Sequence, residues 1–503
     1  MRKRMWTSLL LAALLLTAAG CGTTEAGNEE TTGNGNNGSG STETIETAET
    51  EDPAEKDDLP TDMKDYDGTD FVVLYRDRTG ESVSWQTWDV YTEELNGERI
   101  NDAVFERNLA ILDRFGVKVQ EMQVTDRLNT AKKLIQSGDD TFDLFQDHTQ
   151  NQSQLVIQGY LLNLSDMDYI DFSKAWWDST SIEGISIGDR IYFGIGDGQL
   201  NGKKATWVVL FNKALTANAG ITDLYGTVKE GAWTLDRLNT YGQQIAQDTD
   251  GDGQMTWGVD VFGIALQDEV TLPLLLGGGE KLIEIQPDGS YTYNMADSRV
   301  VDAMEQIHSF LNSGDHILNC NRAGEYKDNW VEFRNLFMSD KIGFFMSHLG
   351  TVTLVGGDMQ SDFGILPFPK VDPAQEGYYS TFQYNNADAI SVPKTCGDTK
   401  RVGLITEAYQ MYAHDTIMPA YYDYTLTLRN ARDTNSGEML DIIFGSRNFD
   451  ISFAFNSSTG MQSFLQNIGV ASTFNYASQE ASNRSKVEKA VTEILDAVMA
   501  LND

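Results

Sequence analysis

The sequence predicts an α/β protein whose first domain has a mostly parallel sheet, and three observations support this class. Between residues 70 and 147, short apolar runs alternate with helical stretches in the order strand, helix, strand, helix, strand. Hydrophobic residues make up 41% of the chain, which is enough for large packed cores. The length of 503 residues favours more than one domain, because a domain usually has about 100–200 residues.

The first strand and helix follow from local patterns. The run DFVVLYRD (70–77) is short and apolar, as in a buried strand. The helix after it should bury one apolar face between a polar N-cap and a glycine stop. The face is Phe105, Leu109 and Leu112, the N-cap Asn101 and the stop Gly116.

The later elements repeat these patterns without an internal repeat. VKVQEMQV alternates as a strand, RLNTAKKLIQSG is helical, and FDLFQD ends the first series. In the middle, Thr234 is the expected N-cap of a helix that Trp233 packs against. Further strands are expected at 206–213, 341–350, 362–370 and 387–394, and helices at 234–247, 300–314 and from about 400 onward.

The charge balance excludes one class of partner. The chain has 75 acidic and 37 basic side chains, a formal net charge of −38. A surface this acidic repels the phosphates of a nucleic-acid backbone. We therefore expect no nucleic-acid partner.

The N-terminus predicts export. Residues 1–20 combine basic residues, a short apolar run and small residues, as in a secretory signal. The segment TAAGC resembles the lipobox of bacterial lipoproteins, with Ala18 where leucine is usual, and this implies lipidation of Cys21. The alternative is ordinary cleavage beside an incidental cysteine. Residues 21–68 are polar and acidic with few aliphatic side chains, so we expect a disordered tether.

Two further cysteines leave two alternatives open. Cys320 and Cys396 could form a disulfide or remain two free thiols. There is no CxxC or Cys/His cluster of the kind that holds zinc.

The loop DTDGDGQMTWGVD (248–260) resembles a calcium-binding loop. Hard cations prefer oxygen ligands at alternate positions, with glycine at position six, which is Gly253 here. Position twelve is Val259 rather than glutamate, and Asp260 could supply the missing carboxylate. The candidate ligands are Asp248, Asp250, Asp252, Gln254, Thr256 and Asp260. The alternative is an Asx-rich turn without metal, and in either case the loop is read as scaffolding.

An ordered set of phrases resembles one family. It is similar to family 1 of the extracellular solute-binding proteins of carbohydrate-type ABC transporters, in the long form common in Gram-positive bacteria. The phrases are GERINDAVFERN (97–108), DFSKAWWD (171–178), GDRIYFGIGD (188–197), FNKAL (211–215), LYGTVKEGAWTLDRL (224–238), DTDGDG (248–253), FGILPFPK (363–370) and PAYYDYTLTLRNARDTNSGEML (419–440).

The resemblance implies a type II periplasmic-binding-protein fold. Two α/β lobes would close by hinge motion on a ligand in the cleft between them. The expected folded region is 69–503, with lobes interleaved along the chain. Lobe 1 would comprise roughly 69–200 and 345–400, and lobe 2 roughly 205–340 and 400–503.

The implied function is capture rather than chemistry. A lipid-anchored monomer at the outer face of a Gram-positive-like cytoplasmic membrane would deliver a sugar or oligosaccharide to ABC permease subunits. No cofactor is required, apart from the structural Ca²⁺ that the acidic loop suggests. The rival classes are an anchored glycoside hydrolase with a carboxylate pair and a calcium-dependent adhesin. No GxSxG, HExxH or phosphate loop supports an enzyme.

Candidate ligand residues follow from two arguments. Ligands of open α/β sheets bind beyond the carboxyl ends of strands. This selects Arg76, Asp77, Asp147, His148, Ser347 and His348. Sugars stack their C–H faces on aromatic rings, which selects Trp176, Trp177 and Tyr421. The alternative for each is a structural role in the core or in a solvated loop.

Overall fold

The computed structural model describes residues 57–60, 66, 68–78, 87–286, 288–427 and 434–502. The expected signal sequence, Cys21 and nearly all of the expected tether lie outside the described residues. The strands are β1 (Asp70–Arg76), β2 (Lys118–Val124), β3 (Leu144–His148), β4 (Trp207–Asn212), β5 (Phe262–Leu266), β6 (Ile283–Ile285), β7 (Tyr291–Tyr293), β8 (Ile317–Asn319), β9 (Ile342–His348), β10 (Phe363–Leu366) and β11 (Asp388–Ser391).

The helices surround these strands and dominate the C-terminal third. They are α1 (Arg99–Phe115), α2 (Arg127–Ser137), α3 (Thr149–Ile157), α4 (Ser179–Ile185), α5 (Leu200–Lys204), α6 (Lys213–Asn218), α7 (Leu224–Lys229), α8 (Leu235–Ile245), α9 (Thr271–Gly277), α10 (Ser298–Leu311), α11 (Trp330–Met338), α12 (Thr351–Val355), α13 (Thr399–Thr427), α14 (Thr434–Gly445), α15 (Ile451–Ala454), α16 (Asn456–Thr459), α17 (Met461–Gly469) and α18 (Tyr476–Met499). Short 3₁₀ turns lie at Leu164–Asp166, Asp268–Val270, Gly324–Tyr326 and Ala500–Asn502.

Two sheets form the centres of two lobes, and the α/β class is confirmed. The first sheet has the order β11–β3–β1–β2, with β1 parallel to β2 and β3, and β11 antiparallel to β3. The second has the order β10–β4–β9–β5–β8, in which the β10–β4 and β4–β9 pairs are antiparallel. A separate hairpin consists of β6 and β7.

The sheets correct the expected lobe boundaries. Residues 345–400 were assigned to the first lobe, yet β9 and β10 belong to the second sheet, because their backbones hydrogen-bond to β4. Only β11 returns to the first sheet. Conversely, α13 was assigned to the second lobe, but it packs along α1 in the first.

The buried face of α1 differs from the expected one. The helix begins at Arg99, and the Glu98 carboxylate, rather than Asn101, caps it by accepting from two backbone N–H groups. Leu109 is 42% exposed, whereas Arg107 is fully buried. The Arg107 guanidinium donates to the carbonyl of Asp89 (2.8 Å) and stacks 3.8 Å from the Tyr409 ring. Because the buried guanidinium has these partners, position 107 accommodates an arginine in the core, whereas Leu109 faces solvent.

Other local expectations are confirmed. Gly116 ends α1 with a left-handed φ of 72°, a conformation that favours glycine. Thr234 caps α8, and Trp233 is buried, with its indole N–H donating to Pro367 O at 3.0 Å. Cys320 and Cys396 are free thiols rather than a disulfide. Within the described ranges, every helix falls short of the length and apolar character that crossing a bilayer demands.

Candidate ligand-binding site

Among the described residues, three of the chain segments that run between the lobes lie side by side. They are residues 204–207, which lead from α5 into β4, residues 380–387, which precede β11, and residues 446–448, which follow α14. Short backbone hydrogen bonds of 2.8–2.9 Å join them: Trp207 N to Thr381 O, Gln383 N to Ala205 O, Ser380 N to Ser446 O and Asn448 N to Ser380 O. Such adjacent crossings are the arrangement about which two lobes hinge.

A cavity of about 430 Å³, here called the hinge cavity, opens beside the 380–387 segment. Its volume suits one or two sugar rings. The chain leaving β5, helix α11, the C-terminal end of β9 and the crossing segment form its wall. The side chains that matter below are Gln267, Glu269, Trp330, Arg334, Gln383 and Asn386.

Helix α11 presents one aromatic and one cationic group to this cavity. Asn329 caps the helix by accepting from Glu332 N (3.3 Å), so α11 starts at Trp330. Trp330 and Arg334 are four residues apart and therefore share a face. Phe333 and Phe337 are fully buried, and the Phe333 ring lies 6.1 Å from the Trp330 ring. The core thus orients the two cavity-lining side chains.

Amide side chains supply the polar part of the cavity. Among the described residues, the structure gives no protein hydrogen-bond partner for the side chains of Gln267, Gln383, Asn385 or Asn386, all of which line it. Gln383 is only 6% exposed, so its amide faces the cavity rather than open solvent. A primary amide both donates and accepts, as sugar hydroxyls do.

A second cavity of about 390 Å³, the interlobe cavity, adjoins the first. Leu354 lines both, and Trp88, Lys204 and Tyr421 contribute to the second. Burial lowers the pKa of Lys204 to about 7, and its ammonium donates to Thr87 Oγ1 at 2.7 Å. The predicted ligand residue Tyr421 therefore lies in a cleft-facing cavity, and its ligand role stays a prediction.

The first-sheet candidates belong to a buried ion cluster. The Arg76 guanidinium donates to Asp388 Oδ1 at 2.6 Å, and Arg127 pairs with Asp147 at 2.7 Å. Asp147 and Asp388 have no exposed surface. Burial lowers the pKa of the neighbouring His148. The structure thus brings Arg76, Asp147 and His148 together, but in this arrangement they bond chiefly to protein groups.

Asp77, Ser347 and His348 lie in three different settings. Asp77 is half-buried after β1, and its carboxylate accepts from Thr125 Oγ1 at 3.5 Å. Ser347 Oγ bonds to Thr351 Oγ1 at 2.8 Å. Burial lowers the pKa of His348 to about 4, and its ring lies 4.2 Å from that of Trp207. Ser347 and His348 line the hinge cavity, which keeps them as predicted ligand contacts.

The two neighbouring tryptophans are packed around one carboxylate. Trp176 and Trp177 are 4% and 3% exposed. Their indole N–H groups donate to the two oxygens of Glu407 at 2.7 and 2.9 Å. Burial raises the pKa of Glu407 to about 7. Both rings have packing roles in this structure, and stacking on a sugar remains a prediction for each.

The acidic loop lies between α8 and β5, far along the chain from the crossings. Carboxylate oxygens of Asp248, Asp250 and Asp260 are all within 4.8 Å of one another. Asp252 is not part of this group, and its carboxylate accepts from Gln254 N at 2.8 Å. Thr256 N donates to Asp260 Oδ2 at 2.6 Å. The grouping is one that a hard cation could occupy.

The sequence reasoning missed the residues that line the hinge cavity most directly. Trp330, Arg334 and Gln383 follow no strand and belong to no quoted phrase. The four-residue spacing of Trp330 and Arg334 in NWVEFRN is a signal that was available. Nothing local marks Gln383, because its position depends on where the chain crosses between lobes.

Proteins similar to this chain are found among solved structures. No protein-family model and no curated protein matches the chain. UspC of Mycobacterium tuberculosis is 16% identical with a TM-score of 0.52, over 85% of this chain and 100% of UspC. The ABC substrate-binding protein Lmo0181 of Listeria monocytogenes, in complex with cycloalternan, is 13% identical with a TM-score of 0.50, over 86% and 100%.

A third neighbour is MalE of Listeria monocytogenes, a maltose-binding periplasmic protein in complex with maltose. It is 14% identical with a TM-score of 0.50, over 86% of this chain and 98% of its own. The chain has the substrate-binding-protein fold. The expected two-lobed class is thus confirmed, and the crossings and cavities lie at the junction of its lobes.

Replacing Glu407 with glutamine tests the carboxylate between the indoles. The pKa of Glu407 is about 7 against an ordinary 4.5, so between these values the folded state keeps a proton that the unfolded state has lost. This group's contribution to stability therefore falls as the pH rises through that window. Glutamine does not titrate. The stability of the wild type relative to Glu407→Gln should therefore drop by about 1–3 kcal/mol from pH 5 to pH 7.

Urea unfolding at both pH values measures this difference, and circular dichroism checks that the variant is folded. A difference independent of pH would contradict the raised pKa.

Proposed function

We propose that the protein is an extracellular receptor that captures a sugar or oligosaccharide and delivers it to an ABC importer. The observation that carries the proposal is the hinge cavity, which is lined by Trp330 and by amide side chains that have no protein hydrogen-bond partner among the described residues. An aromatic plate with amides around it matches a sugar ring, which has C–H faces and a rim of hydroxyls.

The adjacent crossings support a capture mechanism. When the lobes rotate toward each other, the hinge cavity and the interlobe cavity would close around the solute and exclude water. The solute would leave unchanged when the lobes reopen. Lmo0181 and MalE, which share this fold, are complexed with cycloalternan and maltose.

The hydrolase alternative is less well supported. Hydrolysis of a glycosidic bond needs two carboxylates about 5–9 Å apart across the substrate. Of the described residues that line the hinge cavity, Glu269 is the acidic one. A single carboxylate beside Trp330 favours binding over cleavage. Nothing in the structure specifically favours an adhesin.

A saccharide screen tests the receptor. Mono- and oligosaccharides should raise the Tm, because a ligand that binds only the folded state stabilises it. Trp330→Ala should weaken the best ligand about tenfold through loss of ring stacking. Calorimetry measures both effects, with Tyr241→Ala on α8, which does not line the cavity, as the control.

Release of shortened sugars during the incubation would identify a hydrolase instead. A screen in which only peptides, metals or polyamines raise the Tm would refute a carbohydrate ligand while leaving the receptor class standing.

For location, we propose a lipid anchor at Cys21 and an acidic tether that holds the lobes away from the outer face of the membrane. The support is the signal-like segment before Cys21 and the polar composition after it. Cys21→Ala should move the protein from the detergent phase of a phase-partition assay, and from the membrane fraction, into the medium. The control Cys396→Ala should stay with the membrane, and an unchanged distribution for Cys21→Ala would rule out the anchor.

For the acidic loop, we propose a structural Ca²⁺ held by Asp248, Asp250 and Asp260. The grouping of their oxygens within 4.8 Å supports it. Millimolar Ca²⁺ should raise the Tm by several degrees after chelation, since binding to the folded state adds stability. Asp260→Asn should lose the shift, whereas Asp236→Asn on the exposed face of α8 should keep it. A metal-free protein whose Tm does not respond to Ca²⁺ would leave the loop as an Asx turn.

A further inference from the structure

Arg334 is the exceptional side chain of the hinge cavity. It is half-buried, and with the described residues its guanidinium makes no hydrogen bond or ion pair. Other buried arginines behave differently: Arg76 pairs with Asp388, and Arg447 pairs with Asp178. Burial lowers the pKa of Arg334, and no carboxylate offsets that cost.

The composition of the chain makes it informative that Arg334 has no carboxylate partner among the described residues. The chain has about two acidic side chains for each basic one, 75 against 37, so carboxylate partners are abundant. An arginine that lines a cavity and has no partner within the described part of the chain can pair with a group from outside the protein. Its planar fork suits a carboxylate, which accepts two parallel hydrogen bonds.

The surroundings of Arg334 indicate how such a ligand would lie. Trp330 is one helical turn away on the same face of α11. Its indole can therefore stack on a sugar ring whose charged group pairs with Arg334. Glu269 lines the same cavity, and its Oε2 is buried without a hydrogen-bond partner among the described residues. Among the described residues, Arg334 and Glu269 form no ion pair with each other, so each can contact a ligand separately. Glu269 would repel an anion and could accept from a neutral hydroxyl.

We infer that the solute is an acidic saccharide whose ring carboxylate, as in a uronic acid, pairs with Arg334 while the ring stacks on Trp330. The hydroxyls at the far end bond to Glu269 and to the cavity amides. This inference rests on the proposed function and adds the charge class of the solute. The chain as a whole carries a net charge of −38 and repels anions. The positive charge of Arg334 gives the cavity its local preference for an anionic ligand.

The test measures paired ligands by calorimetry on the whole chain. The probes are oligomers of galacturonate, mannuronate and glucuronate, each beside the neutral oligomer of the same linkage and length. We expect at least one acidic oligomer to bind tenfold or more tightly than its neutral counterpart. Arg334→Gln should remove that preference, so that the acidic oligomer and its neutral counterpart bind with similar affinity. Arg334→Lys, which keeps the charge without the fork, should retain part of it.

Arg299→Gln is the matched control. It removes the same charge from α10, where the side chain is 73% exposed, and should keep the full preference. Neutral oligomers binding as well as acidic ones, or a preference that survives Arg334→Gln, would overturn the inference while the receptor stands. Sulfated oligomers serve as a further probe, and binding of these without binding of any uronate oligomer would overturn the carboxylate assignment. If no saccharide binds at all, the proposed function fails as well.

Discussion

The arrangement of the site depends on one buried carboxylate, that of Asp388. It begins β11, where the chain re-enters the first sheet from the second lobe. Arg76 at the end of β1 donates to it, and Asn201 of α5 donates at 3.3 Å. Since α5 precedes the 204–207 crossing and Asp388 follows the 380–387 crossing, one carboxylate ties both crossings to the first lobe.

A buried ion cluster of this kind contributes position more than net stability. Removing charges from water is costly, and only good geometry and additional hydrogen bonds offset that cost. Here Arg127 lies 3.7 Å from Asp388 and pairs with Asp147, so each carboxylate has a cationic neighbour. The third crossing has its own pair, because Arg447 bonds to Asp178 and also donates to Thr206 Oγ1 at 2.9 Å. Each of the three crossings is thus positioned by a hydrogen bond or ion pair, and such contacts require a defined orientation of their partners.

The cavity side chains inherit their positions from these contacts. Gln383 and Asn386 precede Asp388 by a few residues, so the ion cluster fixes the segment that carries them. On the opposite wall, α11 is oriented by the burial of Phe333 and Phe337. A ligand between the two walls therefore touches one element that belongs to the second lobe and one that links the lobes. In the proposed capture mechanism, this geometry would couple lobe rotation to ligand contact.

The success of the sequence predictions varied with the range of the interactions involved. Gly116 and Thr234 were predicted correctly, because a helix stop and an N-cap depend on residues within one turn. The face of α1 was wrong, because Arg107 is buried by the carbonyls of residues 89 and 90 and by Tyr409, all distant in sequence. Trp176 and Trp177 were chosen for their chemistry, yet their N–H groups bond to Glu407, more than 200 residues away.

By itself the sequence determined the α/β class, the strands of the first sheet, β4, β9 and β10, and helices such as α1, α2, α8 and α10, since apolar periodicity and capping act locally. It did not predict β5 to β8 or most of the short helices. It also determined the net charge and the composition of the N-terminal segment. Tertiary structure alone decided which sheet β9 and β10 join, and it placed Arg334, Trp330 and Gln383 around one cavity. The reason is that strand pairing and lobe crossings bring together residues whose separation along the chain has no periodic trace in the sequence.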